Sequence, residues 1–515
     1  NQPWVFKKYR DNEHLVFSGK PQKKAGRWEF NAPRVAILGP DDDLEAGAGV
    51  LPRYPLTDGI KLDAMQRMTR SVVENYADLV SDCLPESFRT THRLPDLATA
   101  LRWLHTPDSA QQWQAGRYRI LLDDLLEFQL GLAQRRKIWN RTLKARPIEV
   151  SAKVDARIRR LFEFRFTAGQ DQATSDIVKD LRHSAPMHRL LQADVGAGKT
   201  AIAVYAMLSA VAAGYQTVLM APTEVLATQH WETFDELLSE SRVQRGLLIG
   251  GLPAAKRREL LEGIGSGKTQ LIIGTQAVIQ DSVKFHNLAL AVIDEQHRFG
   301  VRQRASFTGA DVSPHVLVMT ATPIPRSLCL TQFGDLDVSI IRDLPPGRQK
   351  VVTAKIMDMV EQAKMWNFVR QQIAKGRQAY VVCPRVEGQS DDDAAAAETV
   401  FAQLMRTELS GLRVELLHGR MGREQRHEVM DRFRNHEVDA LVSTTVIEVG
   451  VNVTNATIMI IQQADRFGLA QLHQLRGRVC RGSYQGYCFL LSTTEAPDAL
   501  ERLAALEKSS DGFEL

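Results

Sequence analysis

The chain has 515 residues, which is enough for three or four domains. Apolar residues make up 44% of the sequence and charged residues 24%, a balance that permits sizeable globular cores. The formal net charge of +4 neither indicates nor excludes a nucleic-acid partner, because such proteins often confine their positive charge to one face. No apolar run is long enough to span a membrane, and no signal peptide is visible.

The cysteines indicate a reducing compartment. They are scattered, and none forms a CxxC pair, which argues against a disulfide framework or a zinc site. The five are Cys83, Cys329, Cys383, Cys480 and Cys488. Because residue 1 is Asn rather than Met, the sequence is compatible with a preceding leader or a whole preceding domain.

Three kinds of pattern follow one another along the chain. Residues 1–48 predict short strands such as His14–Lys20 and Gly26–Phe30, too few for a closed barrel. Residues 49–150 predict helices, because apolar residues between Tyr118 and Leu132 recur at helical spacing. From residue 151 onward, continuous apolar strands alternate with helical stretches, which predicts α/β domains with buried parallel sheets.

Seven strands are predicted in this last region. They are Thr217–Met220, Leu271–Ile273, Leu290–Ile293, Val316–Met319, Ala379–Val382, Ala440–Ser443 and Ile458–Ile461. Pro345–Gly347 is a natural linker, so we expect two α/β domains over 151–345 and 346–492.

The sharpest local pattern is ADVGAGKT at Ala193–Thr200, which lies between an apolar strand and a helix-like run. This context predicts a P-loop, in which the backbone N–H groups around Gly196, Ala197 and Gly198 surround phosphates. Lys199 would then reach the β- and γ-phosphates of ATP, and the Thr200 hydroxyl would bind Mg²⁺.

Two details qualify this prediction. Ala193 stands where the P-loop pattern has its first glycine, and alanine tolerates a positive φ poorly. A second Gly-Ser-Gly-Lys-Thr string at Gly265–Thr269 follows a helix and precedes a strand, the reverse of the P-loop order. We therefore interpret Gly265–Thr269 as a simple turn.

Two acidic residues, Asp294 and Glu295, follow the predicted strand Leu290–Ile293. Carboxylates at the end of a buried strand suit Mg²⁺ binding and water activation. We expect Asp294 to hold the metal and Glu295 to orient the attacking water.

Several further strings, in order, resemble the motifs of the RecG helicase family of superfamily 2. The string from Asp294 to Val301 resembles motif II, and Gln474–Gly482 resembles motif VI. The resemblance extends over nearly the whole chain. The other matching positions are Phe164, Thr167 and Gln170 (Q-motif), Ala221–Glu224 (Ia), Gly274–Ala277 (Ib), Thr320–Arg326 (III), Leu417–Met421, and Thr444–Asn455 (V).

The resemblance implies two RecA-like motor domains, 151–345 and 346–492, after a helical linker over 49–150. Residues 1–48 would be the C-terminal part of an OB-like wedge domain, and 493–515 the start of a C-terminal translocation motif. The chain would thus lack parts of the family's protein at both ends. It departs from the family at Asn452, Gln462, Gln463 and Cys480.

The resemblance also implies roles for individual residues. Phe164 and Gln170 would recognise adenine, and Gln474, Arg478 and Arg481 would act on the phosphates from the second motor domain, the arginines as fingers. The implied DNA contacts, made mainly through phosphates, are Trp4, Pro222, Thr223, Gly251, Thr275 and Thr444. The implied coupling residues are His297, Thr320, Thr322 and Gly450.

The function implied is that of an ATP- and Mg²⁺-dependent DNA helicase that reverses replication forks and migrates Holliday junctions in recombination and repair. Its partner would be branched DNA, with a single-stranded-DNA-binding protein as a second partner. We expect a monomer in the bacterial cytoplasm, at the nucleoid. Targeting to an organelle by a preceding leader is the alternative.

Other interpretations stay open. A duplex translocase of the transcription-repair-coupling type shares much of motif VI. A junction-binding protein with impaired turnover would account for Asn452 and Cys480. An RNA helicase of the DEAD-box kind is disfavoured, because Asp294-Glu295 continues with Gln296-His297 rather than Ala-Asp.

Overall fold

A computed structural model of the chain describes residues 14–19, 21–24, 27–30, 34–38, 52–294, 312–320, 336–343, 345, 350–384, 390–444, 453–479, 484–509 and 511–512. The chain divides into two compact units, Asn1–Gly131 and Leu132–Leu515. In the described part, no helix combines the length and apolar composition needed to cross a bilayer.

The first unit begins with the expected strands. β1 (His14–Ser18) pairs antiparallel with β4 (Arg34–Leu38), and β2 (Pro21–Lys24) with β3 (Arg27–Phe30). The prediction of an OB-like wedge fragment stays a prediction, because residues 1–13 and 39–51 lie outside the described part.

Helices follow, as the apolar spacing predicts. They are α1 (Leu62–Tyr76), α2 (Glu86–His92), α3 (Leu97–His105) and α4 (Ala110–Thr142). Inside this group the Arg119 side chain is fully buried and donates to Asp82, Asp123 and the carbonyl oxygen of Pro95. Every charge in this cluster therefore has an opposite partner, which offsets much of the cost of burying it.

The second unit contains ten helices in its described part and two sheets. The helices are α5 (Ala152–Arg159), α6 (Ala168–Leu181), α7 (Lys199–Ala212), α8 (Glu224–Leu237), α9 (Ala254–Gly265), α10 (Met359–Ala374), α11 (Ser390–Arg406), α12 (Arg423–Arg434), α13 (Leu469–Arg476) and α14 (Pro497–Lys508).

The first sheet has seven strands in the order β11-β5-β10-β9-β6-β8-β7, and every pairing is parallel. Its strands are β5 (His188–Ala193), β6 (Gln216–Met220), β7 (Arg245–Leu248), β8 (Leu271–Gly274), β9 (Leu288–Asp294), β10 (His315–Thr320) and β11 (Asp337–Ile341). Leu190 and Leu191 on β5 are both fully buried, in different apolar clusters. Both faces of the sheet are therefore covered, as parallel sheets require.

The second sheet has six strands in the order β12-β17-β16-β13-β15-β14, again all parallel. Its strands are β12 (Val352–Ile356), β13 (Gln378–Val382), β14 (Val414–Leu417), β15 (Ala440–Ser443), β16 (Ala456–Ile461) and β17 (Tyr487–Leu491). All seven predicted strands are therefore present, and the prediction of parallel α/β sheets is confirmed. The domain boundaries chosen from the sequence stay predictions.

Candidate nucleotide and nucleic-acid site

The candidate residues of the first sheet lie at the carboxyl ends of its parallel strands or directly after them. Strands β5, β10 and β9 are neighbours: β5 leads into Ala193–Thr200, and β10 and β9 end at Thr320 and Asp294. Strands β6, β8 and β7 are also neighbours, and they lead into Thr223, Thr275 and Gly251. We call the first three strands the P-loop half and the other three the outer half.

The P-loop has the strand–loop–helix geometry that its sequence predicts. Ala193 is the last residue of β5, so the backbone there needs no positive φ and an alanine is tolerated. Gly196 and Gly198 have φ of 76° and 85°, values that glycine adopts without strain. Helix α7 then begins at Lys199, so its N-terminal N–H groups lie at the loop, where they favour an anion.

Gln170 holds the P-loop from the side. Its Oε1 accepts from the Thr167 backbone N–H at 3.0 Å, and its Nε2 donates to the Ala197 carbonyl oxygen at 2.8 Å. The first contact belongs to a capping box that starts α6. A Cβ on Gly198 would collide with the Gln170 amide, so this position requires glycine for space as well as for φ.

Phe164, the other predicted adenine contact, is 49% exposed. Its ring lies 5.6 Å from that of Phe162 and 6.2 Å from that of Phe166, measured between centroids. An aromatic ring that is both packed and exposed can stack on a base. The adenine role of Phe164 and Gln170 stays a prediction.

Lys199 Nζ donates to two carbonyl oxygens of its own loop, those of Ala193 at 2.7 Å and Asp194 at 3.1 Å. The ammonium group is therefore held at the loop by backbone groups. A phosphate that binds the loop would meet this cation directly, as the P-loop pattern predicts.

Asp194 connects the P-loop to the second sheet's domain. Its Oδ1 lies 2.7 Å from His473 Nε2 on α13, and it accepts from the Val195 N–H at 2.6 Å. Burial opposes ionisation of Asp194, but the hydrogen bonds from His473 and the Val195 N–H, together with the nearby charge of Lys199, outweigh this effect and hold its pKa below the ordinary value. Asp194 is therefore a carboxylate at neutral pH.

Asp294 is the last residue of β9 and is 8% exposed. Its Oδ2 lies 2.7 Å from Nε2 of His230, a buried residue of α8. In the sheet, Leu191, Met319 and Asp294 lie in one line across β5, β10 and β9. Neighbouring strands lie about 4.8 Å apart, so Asp294 on β9 lies about 10 Å from Leu191 on β5, the strand that leads into the P-loop. Thr320 ends β10 between them and is buried.

The outer half has more open loops. The Thr223 side chain caps α8 by accepting from the Leu226 N–H at 3.3 Å, and Pro222 before it is half-buried. Glu224 Oε1 accepts from the Gly250 N–H at 2.9 Å, which ties the turn after β7 to the start of α8. Gly251 in that turn is exposed, and Thr275 is half-buried.

The second sheet's domain contributes motif VI. Gln474 on α13 and Arg478 in the following turn, Gly477–Val479, are both half-buried. Thr444, a predicted DNA contact at the end of β15, is 4% exposed. Its role stays a prediction, as do those of Pro222, Thr223, Gly251 and Thr275.

Other predicted residues lie outside the described part of the chain. They are Trp4, Glu295, His297, Thr322, Gly450 and Arg481. Conversely, His230 and His473, which contact Asp294 and Asp194, were not predicted from the sequence. These partners are 64 and 279 residues apart in the chain, so no local spacing pattern indicates them.

The donor groups near the loop suit a magnesium ion that arrives with a nucleotide. Mg²⁺ usually takes one or two protein oxygens and completes its shell with phosphates and water. A buried carboxylate at Asp294 and a hydroxyl at Thr200 fit this set. Within the described ranges, no cluster of three or more His, Cys, Asp or Glu residues forms a protein-only metal site.

Comparison with known proteins agrees with this geometry. Residues 167–330 match the family model described as DEAD/DEAH box helicase, and residues 361–483 match the helicase conserved C-terminal domain. The chain is 42% identical over 515 residues to ATP-dependent DNA helicase RecG of Synechocystis sp., covering 99% of this chain but 62% of the relative. It is 37% identical to ATP-dependent DNA helicase RecG of Bacillus subtilis, covering 100% of this chain and 74% of the relative.

A solved structure of RecG bound to a three-way DNA junction is 34% identical to the chain and superposes with a TM-score of 0.78, covering 100% of this chain and 68% of that one. The expected fold, with two RecA-like domains built on parallel sheets, is thereby confirmed. Similarity at this level along the whole sequence shows that the chain belongs to the RecG family of ATP-dependent DNA helicases.

Proposed function

We propose that the chain hydrolyses ATP to move along duplex DNA and remodels branched DNA, by fork reversal and by branch migration of Holliday junctions in recombination and repair. One observation carries this proposal. In the first sheet, the P-loop and the buried carboxylate of Asp294 follow β5 and β9, two strands separated only by β10, and a second set of loops follows the strands of the outer half. The relative bound to a three-way DNA junction supports branched DNA as the substrate.

In the proposed site, the N–H groups of the P-loop and Lys199 bind the phosphates of ATP. Asp294 and the Thr200 hydroxyl would hold Mg²⁺, which when bound would neutralise charge on the phosphates. Glu295 accepts a proton from the attacking water and orients it. Phe164 stacks on adenine and Gln170 recognises its edge. The side chains that complete the site from the second domain are Gln474, Arg478 and Arg481.

The proposed DNA contacts lie mainly in the outer half, at Pro222, Thr223, Gly251 and Thr275. A helix N-terminus such as that of α8 favours a phosphate oxygen, and contacts of this kind position a protein without reading sequence. Thr444 and Trp4 would add contacts from other parts of the chain. The residues that would couple hydrolysis to DNA movement are His297, Thr320, Thr322 and Gly450.

The test is an ATPase assay of the full chain with no DNA, linear duplex, a model fork and a three-way junction. We expect turnover that branched DNA stimulates and that falls steeply with salt, because phosphate contacts release counterions. Lys199→Ala is expected to remove it. A rate that DNA does not change, together with tight junction binding, would instead indicate a junction-binding protein with impaired turnover.

A displacement assay separates this function from the alternative of a transcription-repair-coupling translocase. Removal of a stalled RNA polymerase at a rate comparable to junction unwinding would favour the alternative. We further propose a monomer, located in the bacterial cytoplasm at the nucleoid, that has a single-stranded-DNA-binding protein as a second partner. Sedimentation with and without that protein tests both statements about assembly.

A further inference from the structure

The motif VI segment touches the P-loop at two points that lie one helical turn apart. His473 on α13 contacts Asp194, with 2.7 Å between Nε2 and Oδ1. Four residues later, Gly477 lies against Val195, so closely that a Cβ on Gly477 would be 2.7 Å from the Val195 Cβ. Residues four apart lie on the same side of a helix, so one face of this segment meets two consecutive residues of the loop.

The neighbours of His473 determine which ring nitrogen carries the hydrogen. Arg476 Nη2 lies 2.9 Å from His473 Nδ1. A guanidinium group has donors and no acceptor, so Nδ1 must accept. The hydrogen of a neutral ring is then on Nε2, from which it donates to the Asp194 carboxylate.

Arg476 is itself fixed, which makes this arrangement stiff. Its side chain is buried, and Nη1 donates to the carbonyl oxygens of Leu506 and Ser509, both at 2.7 Å. The His473 ring is therefore oriented by Arg476 on one side and held by Asp194 on the other. The side chains of His473 and Asp194 are only 5% and 20% exposed. A hydrogen bond to a charged group in such surroundings is stronger than one at the surface.

We propose that His473 is a positioning residue, which together with Gly477 docks motif VI on Asp194 and Val195 and so sets the place of Arg478 relative to the ATP phosphates. Arg478 directly follows Gly477 in the same turn, so a displacement of the docked face moves it directly. An error of about 1 Å in a catalytic group can lower a rate about 100-fold. The proposal rests on the proposed ATPase function, and it assigns His473 no contact with ATP.

Docking of motif VI on the P-loop has a kinetic consequence that simple packing of His473 would not have. The P-loop and the candidate adenine contacts belong to the first sheet's domain, so ATP can bind there without motif VI. Loss of the docking contact should therefore lower kcat much more than it raises KM. A purely structural histidine would instead lower the melting temperature and leave the kcat of the folded fraction unchanged.

The experiment compares full-chain variants for kcat and KM of ATP hydrolysis with a model fork. We expect His473→Ala to lower kcat about 10-fold or more, which is the effect of losing a hydrogen bond to a charged group. The KM should change less than about 3-fold. His473→Gln keeps an amide donor and should stay within about 3-fold of the unchanged chain. Gly477→Ala, which pushes the same face away from Val195, should also lower kcat.

Asp194→Asn closes a double-mutant cycle with His473→Ala, and the two effects should be strongly non-additive. The matched control is His427→Ala on α12, which removes an exposed contact with Asp431 at 3.4 Å and should change nothing. A kcat for His473→Ala equal to that of the unchanged chain, or effects in the cycle that simply multiply, would overturn the proposal.

Hydrogen exchange of the peptide 188–198 gives a second readout that does not depend on hydrolysis. His473→Ala should speed exchange of the Val195 amide, which donates to Asp194 Oδ1, and His473→Gln should restore its protection. If the unchanged chain shows no DNA-stimulated turnover, the proposed function fails, while this exchange measurement still decides whether the docking exists. Unchanged exchange in His473→Ala would refute the docking even in an active enzyme.

Discussion

The P-loop half and the outer half of the seven-stranded sheet share one construction but present their loops differently. Both consist of parallel strands whose carboxyl ends lie at the same edge. In the P-loop half, Lys199, Asp194 and Asp294 all bond to groups inside the protein. In the outer half, Thr223 caps a helix and Gly251 is exposed. One edge thus carries bonded side chains beside more open loops, a difference that suits the proposed ATP and DNA sites.

Besides the pairing of β9 with β6, a side-chain contact joins the two halves. His230 lies on α8, the helix that follows β6 of the outer half and that Thr223 caps, and it bonds to Asp294 of the P-loop half. A change at the start of α8 can therefore reach the candidate metal ligand through a single helix. Substitutions in each half, and in the contact between them, test whether the halves have separate tasks.

Lys199→Ala should give the largest effect. The variant removes the cation at the phosphates, so we expect ATP turnover to fall about 10²- to 10³-fold, as for loss of one preorganised charge-stabilising group. Fork binding, measured by fluorescence anisotropy without nucleotide, should change less than about 2-fold. Lys268→Ala, at an exposed lysine in the Gly265–Thr269 string, is the matched control and should leave turnover unchanged. A comparable loss of turnover in both variants would contradict the assignment of the P-loop.

His230→Ala should give the next largest effect. Groups that orient a metal ligand typically contribute about 10- to 100-fold to metal affinity or activity. We expect DNA-stimulated turnover to fall by this factor and the Mg²⁺ concentration for half-maximal turnover to rise, while nucleotide binding in EDTA stays unchanged. Thr233→Ala, on the same helix but exposed, is the control. An unchanged Mg²⁺ dependence would show that His230 serves packing alone.

Substitution of Thr223 should give a smaller effect, confined to DNA. Thr223→Ala removes the cap of α8, which costs about 1 kcal/mol of stability, and weakens fork binding a few-fold. Thr223→Asp restores a cap but places a negative charge where we propose a DNA phosphate. It should therefore melt like the unchanged chain and yet bind the fork more weakly than Thr223→Ala at low salt. If Thr223→Asp binds the fork with the same affinity as the unchanged chain, Thr223 does not contact DNA.

Asp82→Asn, in the helical unit outside both halves, should change stability and leave turnover at neutral pH unchanged. The hydrogen bonds from Arg119 outweigh burial, and with backbone N–H bonds they lower the pKa of Asp82 from 3.8 to about 2. A carboxyl group whose pKa is lower in the folded state stabilises the protein above the unfolded pKa, and the contribution disappears as pH falls through the folded value. The shift corresponds to about 2 kcal/mol.

Urea unfolding at pH 5 and at successively lower pH measures this contribution. The unchanged chain should be more stable than Asp82→Asn at pH 5, and the difference should shrink as pH falls from about 4 toward 2. A difference that stays constant over this range would mean that ionisation of Asp82 does not contribute.

Much of the fold followed from the sequence, because interior strands of parallel sheets are continuous apolar runs. The four strands at the sheet edges, β7, β11, β12 and β14, were not predicted, and neither was the interior strand β17 (Tyr487–Leu491). An edge strand is covered less completely and so carries polar residues, as in Asp337–Ile341, where Asp337 and Val338 are exposed. The alternation that marks such strands is too short to detect in four or five residues.

The candidate site was predictable where its chemistry is local. Ala193–Thr200 forms a loop because its glycines adopt positive φ, and this pattern is contained in eight residues. Gly265–Thr269 contains a similar string, but it follows α9 and precedes β8, and the structure confirms it as a turn. His230 and His473 could not be predicted, because the folded chain alone brings them to their carboxylates.

The hydrogen bonds of the P-loop determine what kind of event nucleotide binding is. Ala197 is held by Gln170, and Lys199 is held by the carbonyl oxygens of Ala193 and Asp194. The backbone is thus already ordered, and a ligand loses little entropy in shaping it. In the proposed site, binding would instead be an exchange, in which phosphate oxygens replace two carbonyl oxygens around the Lys199 ammonium group. A ligand with several oxygen atoms would compensate for both lost contacts and a halide would not, so we expect the loop to select by the number of oxygen atoms as well as by charge.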